Sequence, residues 1–362
     1  MGKVTKILLK TLSVAILFLI FCPIMLTLLI ELPSVQNFLV DKAAKIVSEK
    51  IGTTVAIEKL RFRFVDGLVL NGFYAEDFQH DTLLYVDRLS VKFGSFNKTD
   101  GLQLRGGKVQ GGHLFLHETP EGDMNIKQVV DRLTKKDRTP KENPFRLTID
   151  KIRLDDFDLI IERREHRDPE YGIDFYDMHI NRLTGDVENF SLAGSNVSGN
   201  VSGFSFEEHT GFAVENFATA FVVGKGTLEF ENLMVETAKS RIKLPHVALR
   251  GEDWGAYKDF IRNVKINGQI VSSGISTDDI AHFAPKLLPW ELSAHNVSAE
   301  VSGRVADLRV NVRNMEFGQS SSLKGNVRLR GLPDVKRGRM TLDLQRLKTN
   351  AADIAPVLAA IA

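Results

Sequence analysis

From Thr53 onward apolar and polar residues alternate with a period of two, which restricts the chain to strands with one apolar and one polar face. Arg61-Phe62-Arg63-Phe64, Leu89-Ser90-Val91-Lys92-Phe93, Ile152-Arg153-Leu154-Asp155 and Leu228-Glu229-Phe230-Glu231 show the pattern. So do Val327-Arg328-Leu329-Arg330 and Met340-Thr341-Leu342-Asp343-Leu344. Turn signals punctuate it at Asp66-Gly67, Asn71-Gly72, Gly106-Gly107, Gly111-Gly112, Glu121-Gly122, Asn267-Gly268 and Gly331-Leu332-Pro333. The predicted fold class is mainly β, an elongated curved sheet built as a groove or a solenoid. Short helices are expected at Ile126–Leu133 and Ser276–Phe283. Ser276 caps the second, with Asp279 at N3, and it stops before Pro285.

Ahead of the strands, residues 11–30 carry no charge and are mostly Leu, Ile, Val and Phe. Twenty helical residues at ~1.5 Å each reach ~30 Å, the hydrocarbon thickness of a bilayer. Lys3, Lys6 and Lys10 precede this run and Glu31 and Asp41 come after it, so the N-terminus is expected in the cytoplasm and the bulk across the membrane. A cleaved signal would need a small-x-small site, which residues 27–33 lack. The one cysteine, Cys22, lies inside the run behind bulky Phe21 and reads as a lipid-facing residue. The 340 residues after Cys22 therefore hold no disulfide, thiol nucleophile or cysteine metal site.

An amphipathic helix is predicted over 34–51, with Ser34 as N-cap and Gly52 as its C′ residue. Phe38, Leu39, Ala43, Ile46 and Val47 form its apolar face. It lies on the outer leaflet, or plugs the end of the domain behind it, or is a core helix packed under the sheet. The expected organisation is a cytoplasmic tail at 1–10, an anchor at 11–30, this helix, a first β region at 53–190 and a repeating β region at 191–362. The repeat rests on Asn196–Gly203 against Asn296–Gly303, alike in six of eight positions, and on Thr277–Pro285 against Thr349–Pro356. The closing residues 353–362 begin a helix with nothing to pack on, so the chain reads as the N-terminal part of a longer protein.

Lys+Arg total 47 against Asp+Glu 46, which removes the field that nucleic-acid binding needs, and the basic residues alternate along strands without forming a stripe. Lys135-Lys136-Asp137-Arg138 with Lys141 reads as a solvated loop. No catalytic, cofactor or metal site is predicted. His113 and His117 have the i, i+4 spacing of a helical zinc pair, but on a strand they stand ~13 Å apart. Asp155-Asp156-Phe157-Asp158 reads as a polar strand edge, and Glu162–Asp168 as a charged loop. Gly106-Gly107-Lys108-Val109-Gln110-Gly111-Gly112 lacks Walker spacing and reads as paired hairpin turns.

The Lys-flanked anchor, the helix Val35–Ile51, the strands around Val55–Leu60 and Leu83–Phe93, and the turn Gly122–Asn125 after strand His113–His117 together resemble the AsmA-like family, nearest its TamB type from Bacteroides-like bacteria. The resemblance implies an inner-membrane protein whose β-groove hangs in the periplasm. It implies phospholipid carried in the groove toward the outer membrane, or outer-membrane barrel assembly beside a barrel partner reached through a C-terminal region absent here. On either account the chain is not an enzyme. Candidate groove-lining residues are Phe62, Phe64, Leu89, Val91, Phe93, Leu228, Phe230, Leu329, Leu342 and Leu344. The alternatives are an anchored β-solenoid scaffold or adhesin with a closed core, and an anchored enzyme acting on envelope glycans.

Overall fold

The computed structural model describes residues 32–63, 67–97, 101–134, 146–164, 170–194, 196–285, 292–332 and 338–361. Strand makes up 64% of it and helix 16%, the severalfold excess that a period of two implies. The strands are β1 (Val55–Arg63), β2 (Gly67–Glu76), β3 (Thr82–Asn97), β4 (Gly101–Gln110), β5 (His113–His117), β6 (Arg146–Glu162), β7 (Asp177–Ala193) and β8 (Asn196–Glu208). They continue as β9 (Ala213–Gly224), β10 (Thr227–Glu236), β11 (Arg241–Arg250), β12 (Lys265–Ser276), β13 (Ser293–Arg304), β14 (Asp307–Phe317), β15 (Ser321–Arg330) and β16 (Arg339–Lys348).

All sixteen belong to one sheet, which runs in sequence order from β1 to β16, with β5 set between β3 and β6. Pairing is antiparallel except where β6 lies parallel to β4 and β5. Every substantial strand–strand contact among the described residues joins hydrogen-bonded neighbours, so the sheet is a single layer. Asn71-Gly72, Gly106-Gly107 and Asn267-Gly268 lie inside β2, β4 and β12, so these three expected turns are corrected to strand positions. Glu121-Gly122 does turn the chain, at positive φ on Gly122, whereas Gly111-Gly112 is a further correction: it joins β4 to β5 without reversal, both strands running antiparallel to β3 and parallel to β6.

The helices α1 (Pro33–Ile51), α2 (Ile126–Thr134), α4 (Thr277–Ala281) and α5 (Ala351–Ile361) all join strands at the same end of the sheet. A 3-10 turn (Trp254–Asp259) and α3 (Phe260–Asn263) sit at the other end, between β11 and β12. The N-cap of α1 is Leu32, with no side-chain cap, and Pro33 starts the helix, so Ser34 is not the cap. Proline suits that first position because its missing N–H has no intrahelical partner there. Gly52 ends α1 at φ 87°, as expected of a C′ glycine. The helix packs on β1 and α2, and Val55 N donates to Ser48 Oγ at 2.9 Å. Its inward side is Val35, Leu39, Ala43 and Val47, whereas Phe38 and Ile46 are exposed, a correction to the predicted apolar face. Among the described residues no helix is long and apolar enough to cross a membrane. The expected anchor at 11–30, with Cys22, lies outside the described residues, as do Phe64 and the basic loop at 135–141.

The Thr–Pro repeat has a structural counterpart. After β12, Ser276 Oγ caps α4 by accepting from Asp278 N, and Thr237 Oγ1 in the β10–β11 turn donates to Asp279 Oδ2 at 2.7 Å. After β16, Asp353 of α5 accepts from Gln319 N, Ser320 N and Ser321 Oγ at the β14–β15 turn, at 2.9, 3.1 and 2.8 Å. Each helix thus latches onto the hairpin two strands back. The closing helix has a docking point, contrary to the expectation from sequence.

Candidate functional site: an open apolar face

Long strands of this chain do not keep one phase. On β6 the alternating apolar residues are 147, 149, then 152, 154, then 157, 159 and 161, with Ile160 between the last two, and on β10 they are 228, 230, then 233 and 235, with Met234 between the last two. Unbroken alternation would turn the later residues to the opposite face. At the second break of β6 and at the break of β10 the backbone inserts an extra residue. Register shifts fall between Leu154 and Phe157 and between Glu231 and Met234, with Asp156 and Asn232 at φ 58° and 52°. Ser272 on β12 and Gly203 on β8 do the same at φ 42° and 60°. Asn and Asp tolerate this left-handed geometry better than other side-chain-bearing residues, and such bulges restore the alternation on the original face. Phe204, beyond the Gly203 bulge, lies over Gly185: a Cβ on Gly185 would stand 2.3 Å from its ring. Gly185 pairs with Leu154, so Phe204 and Leu154 share one face across the bulge.

With the phase restored, apolar residues meet strand after strand. Phe96 faces Leu102, which faces Leu147. The row continues through Leu192, Val197 and Val223, then Leu228, Leu249 and Ile266. It passes Gly303 and ends with Leu308, Leu329 and Met340, having crossed thirteen strands. At ~4.8 Å per strand this is roughly 58 Å of unbroken apolar surface. A second row runs from Gly199 and Phe221 through Phe230, Val247, Gly268 and Val301 to Val310, Val327 and Leu342. A shorter one joins Ile270, Ala299, Val312, Gly325 and Leu344. Toward the other edge, Phe62, Leu68, Val91, Gly107, Ile152, Val187 and Val201 complete the face.

The side chains of the thirteen-strand row keep solvent contact from end to end, and its ends, Phe96 and Met340, are 70% and 66% exposed. This row is therefore unroofed among the described residues, whereas Ala299 and Val312 in the shorter row are buried. The opposite face is polar: Lys151, Glu188, Asn200 and Ala220 lead to Glu231, His246 and Gln269, then to Glu300, Asn311, Asn326 and Asp343.

Of the candidate residues, Leu228, Phe230, Leu329, Leu342 and Leu344 fall in these rows. Phe62 and Val91 share the row toward β1. Leu89 pairs with Leu70 and Val109, and Phe93 with Leu104. Sequence reasoning did not name Val197, Val223, Leu249, Ile266 or Leu308; the signal that would have found them is the two-two-three spacing of apolar residues.

Two groups bring histidine near carboxylates. Asp77 and Asn125 have no exposed surface, and Asn125 Nδ2 donates to Asp77 Oδ2 at 2.9 Å and faces His117 Nδ1 at 3.1 Å. Asn125 Oδ1 accepts from Ile126 N and His117 N, which fixes its amide orientation. His117 Nδ1 must then be an acceptor, leaving the proton on Nε2, 3.5 Å from Asp77 and 3.9 Å from Asp81. A metal held at Nε2 requires the opposite tautomer. The cluster is a staple joining the β2–β3 turn to the start of α2. In the second group His179 Nε2 is 3.0 Å from Asp177 and 3.8 Å from Glu162, and the His179 ring lies 4.9 Å from that of His209. His113 and His117 sit on β5, as expected.

Among the described residues the fold and this face define a class: a single-layer, two-faced β-sheet with an open apolar row along one side. No protein-family model matches the chain, and no curated protein matches it.

Proposed function

We propose that this chain is a membrane-held β-sheet protein that carries phospholipid acyl chains along its apolar face between the membranes of a bacterial envelope, in the manner its resemblance to AsmA-like proteins implies. One observation carries the proposal: the thirteen-strand apolar row is continuous and unroofed. A soluble sheet normally buries such a face against a second layer, because exposed apolar surface of this extent favours aggregation or a ligand. An acyl chain laid along it gains ~0.8 kcal/mol per buried CH₂. Rows parallel to the long axis of the sheet suit a chain that slides, and no catalytic group is required. The uncharged run at 11–30 would hold the protein in the donor membrane, with the strands on the far side. Assembly of outer-membrane barrels is the other role the resemblance implies, and the same apolar face would serve it.

Photo-crosslinking residues at Phe230, Val310 and Leu342 are expected to capture phospholipid in cells, and the same probe at Asn311, on the polar face, is not. Equal capture at both faces, or none at either, would end the lipid reading. A reporter at Met1 is expected to label as cytoplasmic and one after Ala362 as periplasmic; the reverse pattern would remove the anchor.

A further inference from the structure

We infer that the polar face of β3, β4 and β6 carries a binding site for a ligand bearing more than one phosphate group. This site stands on the opposite face from the proposed lipid path and does not depend on it. Cross-strand pairing gathers cations that lie far apart in the sequence. Arg88, Lys92, Arg105, Lys108, Lys151 and Arg153 line one cleft of about 660 Å³, with Asp186 the only carboxylate in the lining. Three of the six are neutralised locally. Lys108 pairs with Asp155 at 2.9 Å, Lys151 with Glu188 and Asp186 at 2.8 and 3.2 Å, and Arg153 with Asp186 at 3.3 Å. Arg88, Lys92 and Arg105 have no carboxylate partner among the described residues.

Glycines keep the cleft empty. Gly106 is the cross-strand partner of Lys92 and contributes no side chain, and the stem of Arg105 passes 3.2 Å from where a Cβ on Gly94 would stand. The motif around Gly106-Gly107 therefore serves a cleft floor in place of the hairpin turn expected of it. Uncompensated cations crowded on one sheet face repel one another, and they concentrate anions in the space between them. Arginine forks and a lysine point charge together match phosphate oxygens. Arg88 and Lys92 are four residues apart on one strand, ~13 Å between Cα atoms, a span wider than a single phosphate. The chemistry is shared by a soluble polyphosphate and by anionic lipid headgroups side by side on a membrane surface.

The test uses the full chain in detergent, with inorganic tripolyphosphate as the calorimetric probe at low salt. The parent is expected to bind, Arg88→Gln/Lys92→Gln/Arg105→Gln to bind at least tenfold more weakly, and Arg309→Gln/Lys324→Gln, which removes cations elsewhere, to change affinity less than twofold. Circular dichroism checks the fold. Should the triple variant unfold, Lys92→Gln/Arg105→Gln, both exposed, is expected to lose affinity about fivefold. A second arm compares phosphatidylglycerol-containing with pure phosphatidylcholine vesicles. A phosphatidylglycerol preference that the same variant abolishes, without tripolyphosphate binding, assigns the site to lipid headgroups; tripolyphosphate binding alone assigns it to a soluble ligand. No binding of either probe, or equal losses in the triple and control variants, overturns the site.

Discussion

Asn125 uses its whole side chain to hold two distant turns together. It accepts from two backbone amides and donates toward Asp77, His117 and the Phe115 carbonyl, and neither it nor Asp77 has exposed surface. Removing it strips two part-buried backbone amides of their acceptor and takes one donor from the buried Asp77 carboxylate, which keeps Gln79 N and Asp81 N, a loss of about 1–3 kcal/mol. Asn125→Ala is therefore expected to lower the melting temperature and to speed amide exchange at His117 and Ile126; unchanged protection there would show that the staple is idle. Asn125→Asp is expected to be worse at neutral pH than near pH 5, since it sets a second carboxylate 2.9 Å from Asp77. Gly185 acts by absence. Phe204 occupies the place of its Cβ, so Gly185→Val is expected to displace that ring and destabilise β7 and β8.

At the level of the element, bulges decide which face a residue takes. Deleting Asn232 would move Leu233 and Val235 to the polar face, whereas Asn232→Gly supplies the same positive φ at no steric cost. The deletion is expected to abolish folding of β10 and the glycine variant to leave the melting temperature within a few degrees. Equal effects would show that the bulge does not set the phase. The α5 latch gives a pH signature. Hydrogen bonds from Gln319, Ser320 and Ser321 lower the Asp353 carboxyl to about 2, below its ordinary value of 3.8. A depressed carboxylate stabilises the folded form above its unfolded pKa, and that contribution disappears as pH falls through the folded value. Protection of the Gln319 and Ser320 amides is expected to hold at pH 5–7 and fall between about pH 4 and 2. Asp353→Ala should remove the protection at every pH.

Across the whole molecule, an unroofed face and a closed core respond differently to charge. On an open face, an introduced carboxylate stays hydrated until an acyl chain arrives. In a closed core it would be buried unpaired, at a cost of several kcal/mol. Leu342 is already 45% exposed on β16, and Leu329 is half-buried beside it. Leu342→Asp and Leu329→Asp are expected to keep the melting temperature within a few degrees while losing phospholipid capture at neighbouring crosslinkers. Collapse of both variants, with no lipid adduct in the parent, would favour a closed scaffold.

Period-two alternation was enough to specify strands and their apolar and polar sides within each unbroken stretch, because side-chain direction along a strand is a local property of the backbone, and the cap at Ser276 with the stop at Pro285 marked the short helix near 277. Gly52 likewise marked the end of α1. Three things waited for the tertiary structure. The sequence pattern allowed a sandwich, a solenoid or an open sheet, and only the lack of a second layer against the strands, among the described residues, separated them. The phase breaks read as interruptions in sequence, yet they are the bulges that keep Leu154 and Phe157, or Phe230 and Leu233, on one side. Cations that alternate innocuously along β3, β4 and β6 became one cleft only through cross-strand register. Register is set by hydrogen bonds between segments tens of residues apart, so no local pattern contains it.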